Sequence, residues 1–207
     1  MPKAIIFDFD GVIIESFDIK TQAFRELFKE SDKVDEIVEY HKQNGGVSRY
    51  KKFKYIYSEI LKTPLDEKTF KELGEKFSNI VVEEVKKCPY VPGAIDFIDE
   101  KSKNLKLFIA SGTPEEELIS IVDARGISKY FKGIFGSPAT KSEIIQQILK
   151  RENLDRKDAI FIGDTITDYR ESGRAGVPFI ARINSLSDNP LQELEVPKFH
   201  DFYELKI

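Results

Sequence analysis

Two carboxylates follow the first apolar run of the chain. The run 4–7 has the composition of a buried strand, and it leads into Asp8, Phe9, Asp10 and Gly11. Residues two apart in an extended chain share a face, so Asp8 and Asp10 are expected to point the same way. Two like charges on an apolar strand are unfavourable unless something compensates for them. The pattern indicates a bound cation or a chemical task; the alternative is that both carboxylates only cap the turn at Gly11.

Three more polar clusters follow short apolar runs further along the chain. They are Ser111-Gly112-Thr113 after residues 105–110, Lys141 beyond residues 133–136, and Gly163-Asp164 after residues 159–162. Ligands of open α/β sheets bind beyond the carboxyl ends of the strands. If these runs are parallel strands, all the clusters meet at one edge of the sheet, and that edge is the predicted functional site.

The elements that must position these residues alternate between strand and helix. The predicted strands are 3–9, 105–110, 133–136, 159–162 and 177–181. The predicted helices between them are 114–124, 141–151 and 165–175. Continuous apolar runs are expected where a strand is covered on both faces. The alternation therefore predicts an α/β fold with a doubly wound parallel sheet.

One long segment interrupts this alternation directly after the first strand. Between Ser16 and about Cys88 the sequence shows only helical spacing, in four apolar stripes that begin at Ile19, Val34, Tyr50 and Phe70. Amphipathic helices with such stripes bury them against each other. The sequence therefore predicts a helical module at 16–87, inserted into an α/β core domain that residues 1–15 and 88–207 form.

Composition excludes several classes of partner. Lys and Arg number 32 against 36 Asp and Glu, a net charge of −4, so broad attraction to nucleic acid or to an anionic membrane is not expected. The apolar runs are too short for a membrane span, and charged residues before position 20 argue against a signal peptide. Cys88 is the single cysteine, which favours a reducing cytoplasm. The sequence does not predict the oligomeric state.

Four segments together resemble the motifs of the haloacid dehalogenase (HAD) superfamily. They are DFDGV at 8–12, ASGT at 110–113, SPATK at 137–141 and GDTITD at 163–168. The resemblance covers the core, about residues 1–15 and 90–182, and the helical segment lies where that superfamily carries a helical cap. It implies a Rossmann-like core with an inserted α-helical cap domain.

The resemblance implies phosphoryl transfer through a covalent intermediate. Asp8 would be the nucleophile and form an aspartyl-phosphate, which splits hydrolysis into two displacements. Asp10 would protonate the leaving oxygen and later deprotonate the attacking water. A halide leaving group needs no acid, so the presence of Asp10 favours phosphoesters over haloacids.

The other three motifs would supply the groups that bind the phosphate. Ser111 would donate a hydrogen bond to a phosphoryl oxygen, and Gly112 and Thr113 would offer main-chain N–H groups at the start of the helix at 114. An ordinary helix N-cap is the alternative for this segment. Lys141 would pair with Asp8 and with the transferring phosphoryl group.

The motif carboxylates would also hold a metal ion. A dianionic phosphate repels Asp8 unless a cation lies between them, and Mg²⁺ suits a site built from oxygen ligands. Its ligands would be Asp8, the main-chain carbonyl of Asp10, and Asp164. Asp168, one turn along the next helix, would orient them. The alternative for Asp164 is a helix N-cap.

Substrate selection is expected in the helical segment. The loop 44–49 contains Gly45 and Gly46, which allow close approach of the backbone, and loops at this place in the superfamily often close over the substrate. Arg49 is the first candidate for substrate binding, and Asn44 and His41 are secondary candidates. The alternative leaves Arg49 in solvent. The lysines after Arg49 are expected mostly on a solvated face, beside a core stripe of aromatic side chains.

The sequence thus predicts a Mg²⁺-dependent phosphatase for a small phosphorylated metabolite, with sugar phosphates as the substrates that the resemblance favours. A phosphomutase with the same intermediate and a non-catalytic regulator that binds phosphometabolites are the alternatives. A phosphonate hydrolase would need an imine-forming lysine in the cap, and Lys42, Lys51 and Lys52 are open candidates for it.

Overall fold

One parallel sheet of six strands forms the centre of the fold. The computed structural model describes residues 2–184 and 189–207. The strands are β1 (Ala4–Phe7), β2 (Lys106–Pro114), β3 (Gly133–Ser137), β4 (Ala159–Gly163), β5 (Phe179–Arg182) and β6 (Lys198–Phe199). Their order is β3-β2-β1-β4-β5-β6, and each neighbouring pair is parallel. The predicted α/β fold with a doubly wound sheet is confirmed.

Eight α-helices accompany the strands in the described residues. They are α1 (Phe17–Leu27), α2 (Val34–Gln43), α3 (Arg49–Tyr55), α4 (Glu67–Val85), α5 (Ala94–Ser102), α6 (Glu115–Ala124), α7 (Lys141–Glu152) and α8 (Ile166–Ala175). A π-helical turn, Ile56–Leu61, continues α3. None of the helices in 2–184 and 189–207 has the length and apolar character needed to cross a membrane.

Helices cover both faces of the sheet, because alternate strand residues are apolar on both sides. Ile5 and Phe7 of β1 belong to the hydrophobic cluster that α5, α6 and the inserted helices complete. Ala4 and Ile6 belong to the opposite cluster, with α7 and α8. β1, at the centre of the sheet, is therefore fully buried, and the carboxyl-terminal edge of the sheet is left for polar groups.

The four helices α1–α4 lie between β1 and α5, and they pack around aromatic side chains. Phe24, Phe53 and Phe77 are almost completely buried, and the ring centroids of Phe24 and Phe77 are 5.0 Å apart. The four predicted stripes thus correspond to α1, α2, α3 with its π-helical turn, and α4. The domain boundaries at 16 and 88 stay a prediction.

Several boundaries differ from the prediction. β1 ends at Phe7, so Asp8 and Asp10 follow the strand instead of sharing one of its faces. β2 continues to Pro114 through an irregularity after Ala110, so residues 111–113 belong to the strand and not to a helix N-terminus. α5 and β6 were not predicted, since one is a nine-residue helix and the other a two-residue strand.

Candidate active site

The predicted polar clusters meet at the carboxyl edge of the sheet. Because Phe7 of β1 lies beside Ile109 of β2 and Ile162 of β4, the residues that follow these strands are neighbours. They enclose a cavity of about 70 Å³, here called the central cavity. Its lining includes Asp8, Asp10, Ser111, Gly112, Thr113 and Asp164 from the strand ends, and Lys20, His41, Arg49 and Lys52 from the inserted helices.

Asp8 and Lys141 form a buried ion pair at the centre of the site. Lys141 is the first residue of α7, which begins at a capping box made by Thr140 and Glu143. Lys141 Nζ lies 2.8 Å from Asp8 Oδ2 and also pairs with Asp168. Burial lowers the pKa of Lys141, but the paired carboxylates of Asp168 and Asp8 raise it above its ordinary value overall. Lys141 is therefore a fixed positive charge beside Asp8.

The pKa of Asp8 is raised to about 7, because burial disfavours its charged form more than Lys141 favours it. Burial also raises the pKa of Asp164 well above its ordinary value, with Asp8 and Asp168 adding repulsion. The positive charge of Lys141 therefore only partly compensates for these carboxylates. A divalent cation would supply that charge and favour the ionised forms.

Asp164 has the environment expected of a metal ligand. Its Oδ1 atom is buried and has no hydrogen-bond partner in the described residues. Oxygens of Asp8, Asp164 and Asp168 lie within 4.8 Å of one another. Gly11, at φ +75°, leaves room for the Asp164 carboxylate, since a Cβ there would lie 2.1 Å from Oδ2. An oxygen-only set of this kind fits Mg²⁺.

Asp168 is held by the protein on both carboxylate oxygens. Oδ1 pairs with Lys141, and Oδ2 accepts hydrogen bonds from the main-chain N–H and the hydroxyl of Thr165, at 3.1 and 2.6 Å. Thr165 is the N-cap of α8, so the alternative in which Asp164 caps this helix is wrong. These contacts support an orienting role for Asp168.

Asp10 is surrounded by donors from both parts of the chain. Its Oδ1 accepts from Ser16 Oγ at 2.6 Å, and its Oδ2 accepts from Thr113 Oγ1 at 3.0 Å and Ser111 Oγ at 3.4 Å. Lys20 Nζ, from α1, lies 2.5 Å from Oδ2. Burial raises the pKa of Asp10, but Lys20 and the hydroxyl donors lower it more, so the net shift is downward. The carboxylate form of Asp10 is therefore favoured, which suits a base.

The segment 111–113 presents side chains more than main-chain donors. Ser111 and Thr113 are buried, and the Thr113 N–H donates to Ser111 Oγ at 3.1 Å. That N–H group is therefore engaged within the segment. Because these residues lie in β2, the N-cap alternative is wrong, and the expected N–H groups at a helix start are not formed there.

The loop 44–48 of the inserted segment lies directly over these groups. A Cβ at Gly46 would lie 2.8 Å from Thr165 Oγ1 and 3.2 Å from Lys141 Nζ, and the residue has φ +74°. A Cβ at Gly112 would lie 2.6 Å from the Gly46 carbonyl oxygen. Glycine at 46 thus permits the predicted close approach of the backbone. Asn44 lines a neighbouring cavity, and its amide donates to the Tyr40 carbonyl oxygen at 2.9 Å.

Arg49 lines the central cavity and is buried, so the alternative that leaves it in solvent is wrong. Its guanidinium donates to Ser78 Oγ at 2.8 Å and pairs with both carboxylate oxygens of Glu117, which belongs to α6. It also lies 4.4 Å from the centroid of the Phe77 ring. Arg49 therefore joins the inserted helices to the core. Its role toward substrate stays a prediction.

Two lysines of the cavity wall were not among the site residues predicted for phosphoryl transfer. Lys20 was not considered, although it lies one turn beyond Ser16. Lys52 was expected with the lysines of a solvated face, but it is only 3% exposed and contacts His41. Lys42 and Lys51 are exposed and line other cavities. Of the three lysines considered for imine formation, only Lys52 lines the central cavity.

This chain is similar in sequence and in fold to several known proteins. A sequence model described as haloacid dehalogenase-like hydrolase matches residues 5–182. A phosphorylated carbohydrates phosphatase of Thermotoga maritima is 25% identical, with 90% of this chain and 88% of the relative covered. A phosphoglycolate phosphatase of Rhodobacter capsulatus is 23% identical, with 99% and 95% covered. The structure of a β-phosphoglucomutase from Clostridium difficile superposes with a TM-score of 0.79 at 23% identity, covering 100% and 94%.

Proposed function

Because this chain belongs to the haloacid dehalogenase-like hydrolase family, we propose that it is a Mg²⁺-dependent phosphatase of small phosphorylated metabolites. The observation that carries the proposal is Asp8, a buried carboxylate paired with Lys141, beside an Asp164 oxygen that has no partner in the described residues. Two relatives named as phosphatases, of carbohydrate phosphates and of phosphoglycolate, support the reaction class. Sugar phosphates are the first substrates to test.

In the first step, a carboxylate oxygen of Asp8 attacks phosphorus. The bond between phosphorus and the ester oxygen breaks, and the leaving oxygen takes a proton from Asp10. The negative charge of the bound phosphoryl group raises the pKa of Asp10 and favours its acid form before this step. Ser111 donates to a phosphoryl oxygen, and Lys141 balances the charge that Asp8 and the phosphoryl group share.

In the second step, water attacks the phosphorus of the aspartyl-phosphate. Asp10 accepts a proton from that water, and the bond between phosphorus and Asp8 breaks. Inorganic phosphate leaves and the Asp8 carboxylate is restored. The downward shift of the Asp10 pKa is consistent with this base role.

The metal site would be formed by Asp8, Asp164 and the main-chain carbonyl of Asp10, with Asp168 orienting the others. Mg²⁺ held there would reduce the repulsion between the phosphate and the Asp8 carboxylate. The unpartnered Asp164 oxygen and the raised pKa values of Asp8 and Asp164 support this assignment.

The inserted helices, residues 16–87, would act as a cap domain over a core formed by residues 1–15 and 88–207. The approach of Gly46 to Thr165 and Lys141, and the ion pair of Arg49 with Glu117, support this division. The cap would exclude water and contact the leaving group. Asn44 and Arg49 stay its proposed substrate contacts.

A phosphomutase is the alternative, since the same aspartyl-phosphate could return its group to a sugar. A regulator without catalysis would have no need of the ion pair of Lys141 with Asp8, or of two further carboxylates at this edge. The two enzyme reactions differ in their product: a phosphatase releases one inorganic phosphate per substrate, whereas a mutase yields an isomeric sugar phosphate.

The test is phosphate release from a panel of sugar phosphates, phosphorylated acids and acetyl phosphate, with Mg²⁺ and with a chelator. We expect release from at least one phosphomonoester with Mg²⁺ and none after exhaustive chelation. Turnover that survives chelation would contradict the metal site. Absence of turnover with every member of the panel would contradict the phosphatase.

A further inference from the structure

The inserted helices contribute to the wall of the central cavity a buried cation that has no acidic partner among the described residues. Lys52 and His41 are 3% and 5% exposed. Lys20 and Arg49, which line the same cavity, pair with Asp10 and Glu117. Within residues 2–184 and 189–207, Lys52 has no ion pair; its Nζ contacts only His41 and lies 5.6 Å from the centroid of the Phe24 ring.

The contact with Lys52 sets the tautomer of His41. Lys52 Nζ lies 3.0 Å from His41 Nδ1 and 3.3 Å from the His41 carbonyl oxygen. An ammonium group only donates hydrogen bonds, so Nδ1 is the acceptor and the ring hydrogen is on Nε2. Burial, followed by Lys52, holds the pKa of His41 far below its ordinary value, so the ring is neutral.

Two hydrogen-bond donors are therefore left without acceptors. His41 Nε2 is buried and has no partner in the described residues, and the third ammonium hydrogen of Lys52 has none either. Burying such donors unsatisfied is costly, and a buried charge without a counter-charge costs more. An anionic oxygen group bound beside Lys52 would accept its free ammonium hydrogen and neutralise the charge.

The electrostatics of the wall point the same way. Burial, followed by the positive charges of Lys20 and Lys141, lowers the pKa of Lys52 to about 7. In the free protein, a buried ammonium group without a counter-charge lowers the free energy of unfolding. An anion bound beside it would raise that pKa again and hold the ammonium charged.

We propose that Lys52, whose ammonium group His41 positions, binds a second anionic group of the substrate, a carboxylate or a second phosphate carried by the leaving group. The preferred substrates are then phosphorylated hydroxy acids or bisphosphates, and not monophosphates of neutral alcohols or sugars. A neutral leaving group would leave the ammonium of Lys52 without a counter-charge. The proposal rests on the phosphatase function and narrows its substrate class.

Matched pairs of substrates test the proposal. 2-Phosphoglycolate and 2-hydroxyethyl phosphate differ by one carboxylate, as do 3-phosphoglycerate and glycerol 3-phosphate. Ethane-1,2-diol bisphosphate, compared with 2-hydroxyethyl phosphate, gives the second-phosphate arm. Acetyl phosphate reports the phosphatase reaction itself. We expect kcat/KM to favour the anionic member of at least one pair by about 10-fold or more, the range for a hydrogen bond to a charged group.

Lys52→Met should reduce that preference by about 10- to 100-fold. Lys51→Met is the matched control, since Lys51 is exposed on the same helix, and it should keep the preference of the wild type. Thermal unfolding checks that each variant is folded, and Lys52→Gln replaces Lys52→Met if the latter is not. His41→Phe should reduce the preference in the same direction.

The outcomes separate this proposal from the phosphatase function. Turnover of the neutral members equal to or better than the anionic ones would overturn the second anion site and leave the phosphatase intact. A preference that survives in a folded Lys52 variant would overturn it as well. If borohydride links phosphonoacetaldehyde covalently to Lys52, then Lys52 forms an imine with the substrate, and the second anion site is wrong. Failure to hydrolyse any substrate, acetyl phosphate included, would overturn the phosphatase and this proposal together.

Discussion

The two sides of the central cavity carry opposite charges. The strand ends contribute the carboxylates Asp8, Asp10 and Asp164, whereas the inserted helices contribute the cations Lys20, Arg49 and Lys52. On the first side each functional group lies within a few residues of the end of a strand. On the second side the groups are long side chains on packed helices.

This difference indicates a division of labour. Pairing of β1 with β2 and β4 fixes the backbone at the strand ends, so the carboxylates keep their positions for any phosphate substrate. The cations of the helices depend on packing within the inserted segment, so substitutions there can change selectivity while the reacting groups stay in place. We therefore expect chemistry to depend on the strand ends and substrate choice on the inserted helices.

Replacement of Asp8, the proposed nucleophile, should abolish the reaction at the strand ends. Asp8→Asn keeps the shape of the side chain but cannot attack phosphorus, so we expect phosphate release to fall by about 10⁴-fold or more with every substrate. Steady-state assays with an anionic substrate and with acetyl phosphate measure this loss. Substantial turnover of either substrate by a folded Asp8→Asn protein would refute the covalent mechanism.

A weaker metal site should lower turnover of every substrate. Binding of Mg²⁺ can also be measured without turnover, through its effect on Tm. Mg²⁺ at 100 times its Kd would stabilise the wild type by about 2.7 kcal/mol. Asp164→Asn should weaken Mg²⁺ affinity by at least about 10-fold, seen as a smaller rise of Tm with Mg²⁺. Asp123→Asn, an exposed acid on α6, is the control and should respond as the wild type does. An unchanged Mg²⁺ response in Asp164→Asn would exclude Asp164 as a ligand.

Arg49 tests whether a residue that joins the two sides also selects substrate. Arg49→Ala should lower kcat/KM for the preferred substrate by about 10- to 150-fold and leave acetyl phosphate hydrolysis less affected. It should also lower the free energy of unfolding by about 3–5 kcal/mol, because Glu117 loses its buried partner.

Glu117→Ala separates these two effects, since it breaks the same ion pair and leaves Arg49 in place. If Arg49 contacts substrate, Glu117→Ala lowers the free energy of unfolding but spares kcat/KM. Equal losses of kcat/KM in both variants would mean that the ion pair only supports the fold.

Replacement of Lys20 should have a smaller effect, which the pH dependence of activity measures. Lys20 lowers the pKa of Asp10, and Asp10 must be ionised to act as a base. In Lys20→Met the pKa rises, so the loss of activity on acidification should begin about 1–3 pH units higher. The pH profile of kcat at saturating substrate measures the shift, with Lys42→Met as an exposed control. A profile that does not move would remove Lys20 from the electrostatics of Asp10.

Lys52 also affects stability without substrate. The pKa of Lys52 is about 7 in the folded chain and near 10.5 when unfolded, so the unfolded state binds more protons between those values. Stability contributed by this group therefore rises with pH from about 7, by up to about 1.4 kcal/mol per pH unit, and is flat below 7. Lys52→Met should be the more stable protein at pH 6, with an advantage that shrinks above pH 7. An advantage independent of pH would contradict a buried charge.

The sequence predicted the strand ends better than the helical wall, for a physical reason. Asp8, Ser111, Lys141 and Asp164 directly follow apolar runs or begin the next helix, and pairing of the strands brings such positions together. No knowledge of side-chain packing was needed. The predicted ends of β1 and β2 were wrong. Asp10 still lines the central cavity, because the turn at Gly11 directs it there.

To predict the cavity residues on the inserted helices, one must know which face of each helix is buried. In α3 and its π-helical turn the buried residues are Arg49, Lys52, Phe53, Ile56 and Ile60. Their spacing is that of one helical face, and two basic residues occupy its polar end. The stripe predicted from the sequence shares Phe53 and Ile60 with this face, but its other members, Tyr50, Tyr57 and Leu61, are only partly buried. Spacing alone does not tell a buried lysine from a solvated one.

Direct detection of the intermediate is the most decisive test of this division of labour. Wild-type protein with Mg²⁺ is mixed with acetyl phosphate or with 2-phosphoglycolate, quenched in acid, and digested for mass spectrometry. We expect the same phosphorylated peptide from each substrate that is turned over, with the phosphate on Asp8. Borohydride should convert that residue to homoserine. Turnover in rapid-quench experiments without any phosphoenzyme, or phosphate on a residue other than Asp8, would contradict the proposed role of the strand ends.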